Sequence, residues 1–147
     1  MLEQVKVMVQ VAIVVRDVEK KAKAFAEFFG VDVPKWKMTG SFEESNIQFN
    51  GNATHARAKL AFFNLENIQI ELIEPVDRPS TWGTFLDIKG EGIHHIAFHV
   101  PNIENEIVRL EGMGLTLEQT GDFNGGSYAY LNGQEKLGAI IELLADV

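Results

Sequence analysis

With 147 residues, a formal net charge of −8 and no cysteine, the chain has room for one well-buried core and lacks disulfide staples and thiolate metal ligands. The acidic balance excludes a basic stripe for nucleic acid or an anionic membrane surface. No apolar run approaches the roughly 20 residues of a membrane span, and the N-terminus lacks a signal-peptide pattern, so a cytoplasmic location is expected.

In chain order, Val5 to Val15 is a Val- and Ile-rich stretch of strand length, with Gln10, Ala12 and Val14 on one face and Val9, Val11, Ile13 and Val15 on the other. Asp17 is placed to cap a helix running to about Phe29, with Val18, Ala22, Phe25 and Phe29 on one side and Gly30 as its stop. Lys20, Lys21 and Lys23 read as a solvated helix face. Residues 31 to 56 carry weaker signals: Trp36 suggests a strand, and Asn50-Gly51 a tight turn after Asn46 to Phe49.

Ala58 to Phe63 and Ile68 to Glu74 form a predicted strand pair around Glu66-Asn67, ended by Pro75. Ser80 starts a short helix through Phe85, and Gly90-Glu-Gly92 leads into a strand containing His94, His95 and His99. Asn102 caps a helix with Ile103, Ile107 and Leu110 on one face, ended by Gly112 and Gly114, and a strand follows over about Leu115 to Glu118. Residues 127 to 131 and 138 to 144 read as a hairpin around Asn132-Gly133.

Two internal echoes organise this pattern. HIAFHVPNIE from His95 lies over QVAIVVRDVE from Gln10, and Ala139-Ile-Ile-Glu-Leu-Leu144 lies over Ile68-Gln-Ile-Glu-Leu-Ile73. The fold class expected is therefore α+β: two tandem βαβββ modules, about 5 to 75 and 93 to 145, joined by a short helical linker in one domain and forming a cupped mixed sheet. Each module is expected to bury its apolar face against the other. The interval from Gln10 to Glu71 exceeds that from His95 to Glu142 by about 14 residues, most simply an insertion within 40 to 56, a loop or hairpin that covers the site.

The echoes also pair Gln10 with His95 and Glu71 with Glu142, four polar side chains interrupting apolar strands, where an unpartnered polar group is costly. A divalent metal ion would satisfy all four. One imidazole with three oxygen donors suits Zn, Co, Ni or Mn. Two carboxylates balance the charge of such an ion and leave coordination positions for a substrate. His94 faces away from His95 by strand alternation and reads as packed or surface. His99 lies about 13 Å along the strand from His95, too far for the same ion. His55 reads as exposed, and Tyr128 and Tyr130 as core or cleft wall.

With HHIAF, IELIEP and IIELL at these separations, the chain resembles the vicinal oxygen chelate (glyoxalase/bleomycin resistance/dioxygenase) superfamily over nearly its whole length. The resemblance implies a metal cleft between side-by-side modules, with Gln10, Glu71, His95 and Glu142 at the four ligand positions. Glu142, on the terminal strand, is the expected movable ligand and catalytic base, with Glu71, its counterpart in the first module, as the next candidate. The linker block Gly90-Glu-Gly-Ile-His-His-Ile-Ala-Phe98 is most similar to the methylmalonyl-CoA epimerase branch, and the order Gln, Glu, His, Glu matches the zinc type of glyoxalase I. Arg57 and Lys59 stand where the epimerase carries an acidic base. A metal-dependent isomerase acting on a CoA thioester is thereby implied. Its alternatives are a glyoxalase I-type lyase (lactoylglutathione lyase) acting on a glutathione thioester precursor and a non-enzymatic small-molecule-binding protein of the bleomycin-resistance type. A homodimer built on exposed strand edges is also implied.

Overall fold

The computed structural model describes residues 5 to 146. β1 (Val7–Val14) leads to Asp17, whose side chain accepts a hydrogen bond from the Lys20 amide and caps α1 (Val18–Phe29); Gly30 closes the helix at φ 71°. Such a cap contributes about 1 kcal/mol. β2 (Lys37–Met38), the single turn α2 (Phe42–Ser45), and the hairpin of β3 (Gln48–Phe49) and β4 (Asn52–Ala53) occupy the weakly patterned region, and Asn50 and Gly51 form its turn with φ of 51° and 80°. β5 (Ala58–Asn64), β6 (Gln69–Pro75) and α3 (Thr81–Lys89) follow. The second module is β7 (Gly92–His99), α4 (Ile103–Gly112), β8 (Thr116–Phe123), β9 (Gly126–Gly133), the turn α5 (Gln134–Leu137) and β10 (Ala139–Asp146).

The strands form one curled mixed sheet in the order β2-β5-β6-β1-β7-β10-β9-β8-β3-β4. The modules join edge to edge through the antiparallel pair β1–β7, while β1–β6 and β7–β10 are parallel. Each module's outer face is covered by its own helix rather than by the other module, which corrects the expectation above. Val18, Ala22 and Ala26 of α1 pack with Ala61, Phe63 and Leu72, and Ile103 and Leu110 of α4 with Leu131, Ile141 and Leu143. The inner, concave face is left for a third cluster containing Ala12, Val14, Ile73, Tyr130 and Ile140, which Trp82 and Leu86 of α3 cover at one end.

Three further expectations are revised. α3 runs to Lys89 instead of Phe85 because Leu86 is buried, Ser80 caps the start by accepting from the Gly83 amide, and the Gly90 amide caps the end on the Leu86 carbonyl. β8 continues to Phe123, held by β9 on one side and by β3 on the other. No tight turn forms at Asn132-Gly133: the Asn132 side chain accepts from the Gln134 amide, starting the helical turn α5, and Gly138 at φ 79° returns the chain to β10. The tight connection lies instead at Asn124-Gly125, between β8 and β9. The outermost strands of the sheet, β2 and β4, are two residues long, so little ladder is offered to a second copy.

Candidate active site

The four donors identified in the sequence rise from the four central strands: Glu71 from β6, Gln10 from β1, His95 from β7 and Glu142 from β10. Their placement follows from register. Ala12 is the cross-strand partner of both Glu71 and His95, and Ala97 is the partner of both Gln10 and Glu142. The repeat alanine of each module thus sits between two donors of the quartet, small enough to let their side chains meet. The site is nearly closed to solvent, with Gln10 6%, Glu71 7%, His95 0% and Glu142 5% exposed.

His95 Nε2 is the common point. It lies 2.9 Å from Gln10 Oε1, 3.1 Å from Glu142 Oε1 and 3.7 Å from Glu71 Oε1. The Gln10 amide is oriented by its other end, where Nε2 donates to Gln69 Oε1 at 2.7 Å. Burial sets the electrostatics. Desolvation raises the Glu142 carboxyl to about 8, against the Tyr130 hydrogen bond that favours the anion. Desolvation and then the Glu142 charge raise Glu71 well above the usual carboxylate range, partly offset by Lys37. Desolvation lowers His95 to about 3, so its imidazole is neutral. Two buried carboxyls beside a neutral imidazole leave negative charge poorly compensated once they ionise.

Above the quartet opens a cleft of about 640 Å³. Tyr130 and Tyr128 form one wall. The Tyr130 hydroxyl accepts from Trp82 Nε1 at 3.1 Å and so keeps its own proton for Glu142, and the Tyr128 hydroxyl accepts from Gln119 Nε2 at 3.1 Å. The 40 to 56 insertion supplies part of the rim, with Gly40, Glu44, Ser45 and Ile47 in the lining. Lys37 of β2 is the cationic side chain among the residues lining the cleft, its Nζ 5.3 Å from the Phe62 ring centre.

The reading of His94 changes here. His94 does not face away from His95: its Nδ1 is 2.8 Å from His95 Nδ1. The register steps from Ala12–His95 to Ile13–Ile93, making His94 the extra residue of a β-bulge that re-aims its ring. His99 is exposed beside Asp146 at 3.5 Å and does not line the cleft. Arg57 and Lys59 pair with Asp77 at 3.4 Å and Glu74 at 3.8 Å, also away from the cleft. Lys37 and Trp82 were not singled out by the sequence. The HH doublet was the available signal for His94; Lys37, in a segment without periodicity, carried none.

Among known proteins, residues 9–130 match the sequence model of the glyoxalase/bleomycin resistance protein/dioxygenase superfamily. The uncharacterized protein YqjC of Bacillus subtilis is 31% identical over 90 residues, which are 59% of this chain and 64% of that protein. The chain therefore spans less than two thirds of that relative's length. Among solved structures, methylmalonyl-CoA epimerase of Streptomyces coelicolor, in complex with 2-nitronate-propionyl-CoA, superposes with TM-score 0.65 at 16% identity, covering 98% of this chain and 99% of that one. Methylmalonyl-CoA epimerase of Mycobacterium tuberculosis superposes with TM-score 0.62 at 21% identity, covering 100% and 93%.

Proposed function

The chain belongs to the glyoxalase/bleomycin resistance protein/dioxygenase superfamily, and we propose that within it the protein is a divalent-metal-dependent isomerase moving a proton on the carbon next to a thioester carbonyl, as in methylmalonyl-CoA epimerase. The observation that carries this reading is the convergence of two buried carboxyls and an amide oxygen on the single nitrogen His95 Nε2.

The residues fit a metal ion of the Zn, Co, Ni or Mn type. Donors held about 2.1 Å from one ion at right angles to each other are about 3.0 Å apart, and Gln10 and Glu142 stand at 2.9 and 3.1 Å from His95 Nε2, with Glu71 further out at 3.7 Å. Among the described residues no group of three or more His, Cys, Asp or Glu side chains stands in an arrangement that could hold a metal ion by itself. The support is therefore donor identity, spacing and charge: two carboxylates match the charge of a divalent ion and would lose the penalty that now raises them. Gln10, Glu71, His95 and Glu142 would hold the ion, which when bound supplies Lewis-acid polarisation of the substrate carbonyl.

The chain's own residues supply the proton chemistry. Glu142 takes the proton from the substrate α-carbon onto a carboxylate oxygen and can return it, while the Tyr130 hydroxyl holds the carboxylate in place. Glu71, its counterpart across the pseudo-twofold axis, is the second base for the opposite face of the carbon. Lys37, at the mouth on the Glu71 side, pairs with an anionic group of the substrate. The protein acts in the cytoplasm on a small molecule, a CoA thioester first. Gln10 at the first ligand position favours the glyoxalase I-type reaction on a glutathione hemithioacetal as the second reading.

The test is to supply the metal-loaded protein with CoA thioesters bearing an acidic α-carbon, and separately with glutathione hemithioacetals, in deuterated water. The isomerase reading expects α-deuterium in the thioester. Thioester product from the hemithioacetals alone supports the lyase, and tight binding without exchange or product from either class shows a ligand-sequestering protein.

A further inference from the structure

Behind the quartet lies a chain of hydrogen bonds that the proposed chemistry does not use. His95 Nδ1 is 2.8 Å from His94 Nδ1, and His94 Nε2 is 3.2 Å from the Thr81 hydroxyl. Both imidazoles are buried, His95 fully and His94 to within 1%. Thr81 opens α3 with its backbone amide donating to Gln119 Oε1 at 2.8 Å, so the residue is anchored while its hydroxyl stays free to turn. His94 reaches His95 only because it is the bulged residue of β7.

Two ring nitrogens facing each other at this distance need one proton between them: one donates and the other accepts. Only two arrangements of the chain satisfy this with neutral rings. In the first, Thr81 O–H donates to His94 Nε2, His94 Nδ1–H donates to His95 Nδ1, and His95 carries its proton on Nε2, aimed at Gln10 Oε1. In the second every bond is reversed: His95 Nδ1–H donates to His94 Nδ1, His94 Nε2–H donates to Thr81 Oγ1, and His95 Nε2 presents a lone pair. Each ring has one N–H and the threonine one O–H in both, so the protons balance. Reversal works because the terminal hydroxyl both donates and accepts, which an amide N–H or a carboxylate could not do.

We infer that His94 and Thr81 are positioning residues that set the tautomer of His95, holding Nε2 protonated toward Gln10 in the metal-free protein and reversing to free its lone pair for a cation. Gln10 Oε1 can only accept, and its amide is fixed by the bond to Gln69, so the first arrangement belongs to the metal-free state. A cation on Nε2 demands the second. The inference rests on the metal reading proposed above, and the signature that separates the two is the tautomer of His94, which touches no metal in either state.

Protein labelled with ¹⁵N-histidine is examined by long-range ¹H–¹⁵N correlation, metal-free and with one equivalent of zinc. The expected result is His95 protonated at Nε2 and His94 at Nδ1 without metal, and His95 at Nδ1 with His94 at Nε2 when zinc is bound. Zinc binding with the His94 tautomer unchanged overturns the inference and leaves the metal reading standing; failure of the native protein to bind zinc overturns both. Independently, Thr81→Val should weaken zinc binding and Thr81→Ser should restore it. His94→Phe, where it folds, should weaken it about 10- to 100-fold, the usual effect of removing a hydrogen-bond partner behind a histidine ligand. A purely structural role would lower thermal stability in the variants and leave zinc affinity and the ¹⁵N pattern of His95 as in the native protein.

Discussion

At the scale of single residues, Glu142 carries the sharpest expectation. Its amide isostere can still offer an oxygen to an ion but cannot take a proton, so Glu142→Gln should retain metal while α-proton exchange falls by about 10²- to 10⁴-fold, the usual contribution of a positioned base. Native exchange with metal retained would move the base to Glu71. Lys37→Met should raise KM for anionic thioesters with little change in kcat and in metal content, since Lys37 faces the cleft beyond the quartet; an unchanged KM would remove it from substrate recognition. Gln10, Glu71, His95 and Glu142 were legible as a set because the duplication writes the same position twice, and a polar residue recurring at one place in an apolar strand needs a partner. His94 was misread because strand alternation assumes an unbroken ladder, and the β7 bulge breaks it at that residue.

At the scale of the elements, the central strands work through what they omit. Ala12 and Ala97, both with no exposed surface, align with the donors on either side. Ala97→Leu should cost about 1 to 3 kcal/mol by overpacking and lower metal affinity in the same variant, measured by denaturant unfolding and zinc titration. A stability loss with native affinity would show that the strand spacing does not control the donors. The capped helices and the Asn50-Gly51 turn were readable because their signals are local. The connection before β10 was not: Asn132-Gly133 has the composition of a hairpin turn, yet the Asn132 side chain binds the Gln134 amide and commits the chain to a helical turn. The pairing of β3 with β8 joins the inserted hairpin to the other module, a contact between distant segments that no local pattern announces.

At the scale of the whole molecule, the buried quartet links stability to pH and metal. Glu142 is raised to about 8 and Glu71 is raised too. In the chelator-treated protein their contribution is complete below the ordinary carboxylate value of 4.5 and is lost as pH rises through the folded-state values, because the unfolded chain ionises first. His95, lowered to about 3, and His94, also lowered by burial, act oppositely, costing stability as pH falls below 6.5. Between 6.5 and 8 only the carboxyls remain active, and stability should fall by up to about 1.4 kcal/mol per pH unit for each titrating group. Chemical denaturation across that range should show the slope in metal-free protein, and its absence would mean the carboxyls are solvated. A bound ion at 100 times its Kd should add about 2.7 kcal/mol. The most direct measurement is metal stoichiometry and affinity after chelation and reloading with zinc, in the native protein and in His95→Ala. One ion per chain, lost in His95→Ala with the far-ultraviolet circular dichroism preserved, is the result expected; no ion in the native protein, or one held equally well by His95→Ala, would contradict the site.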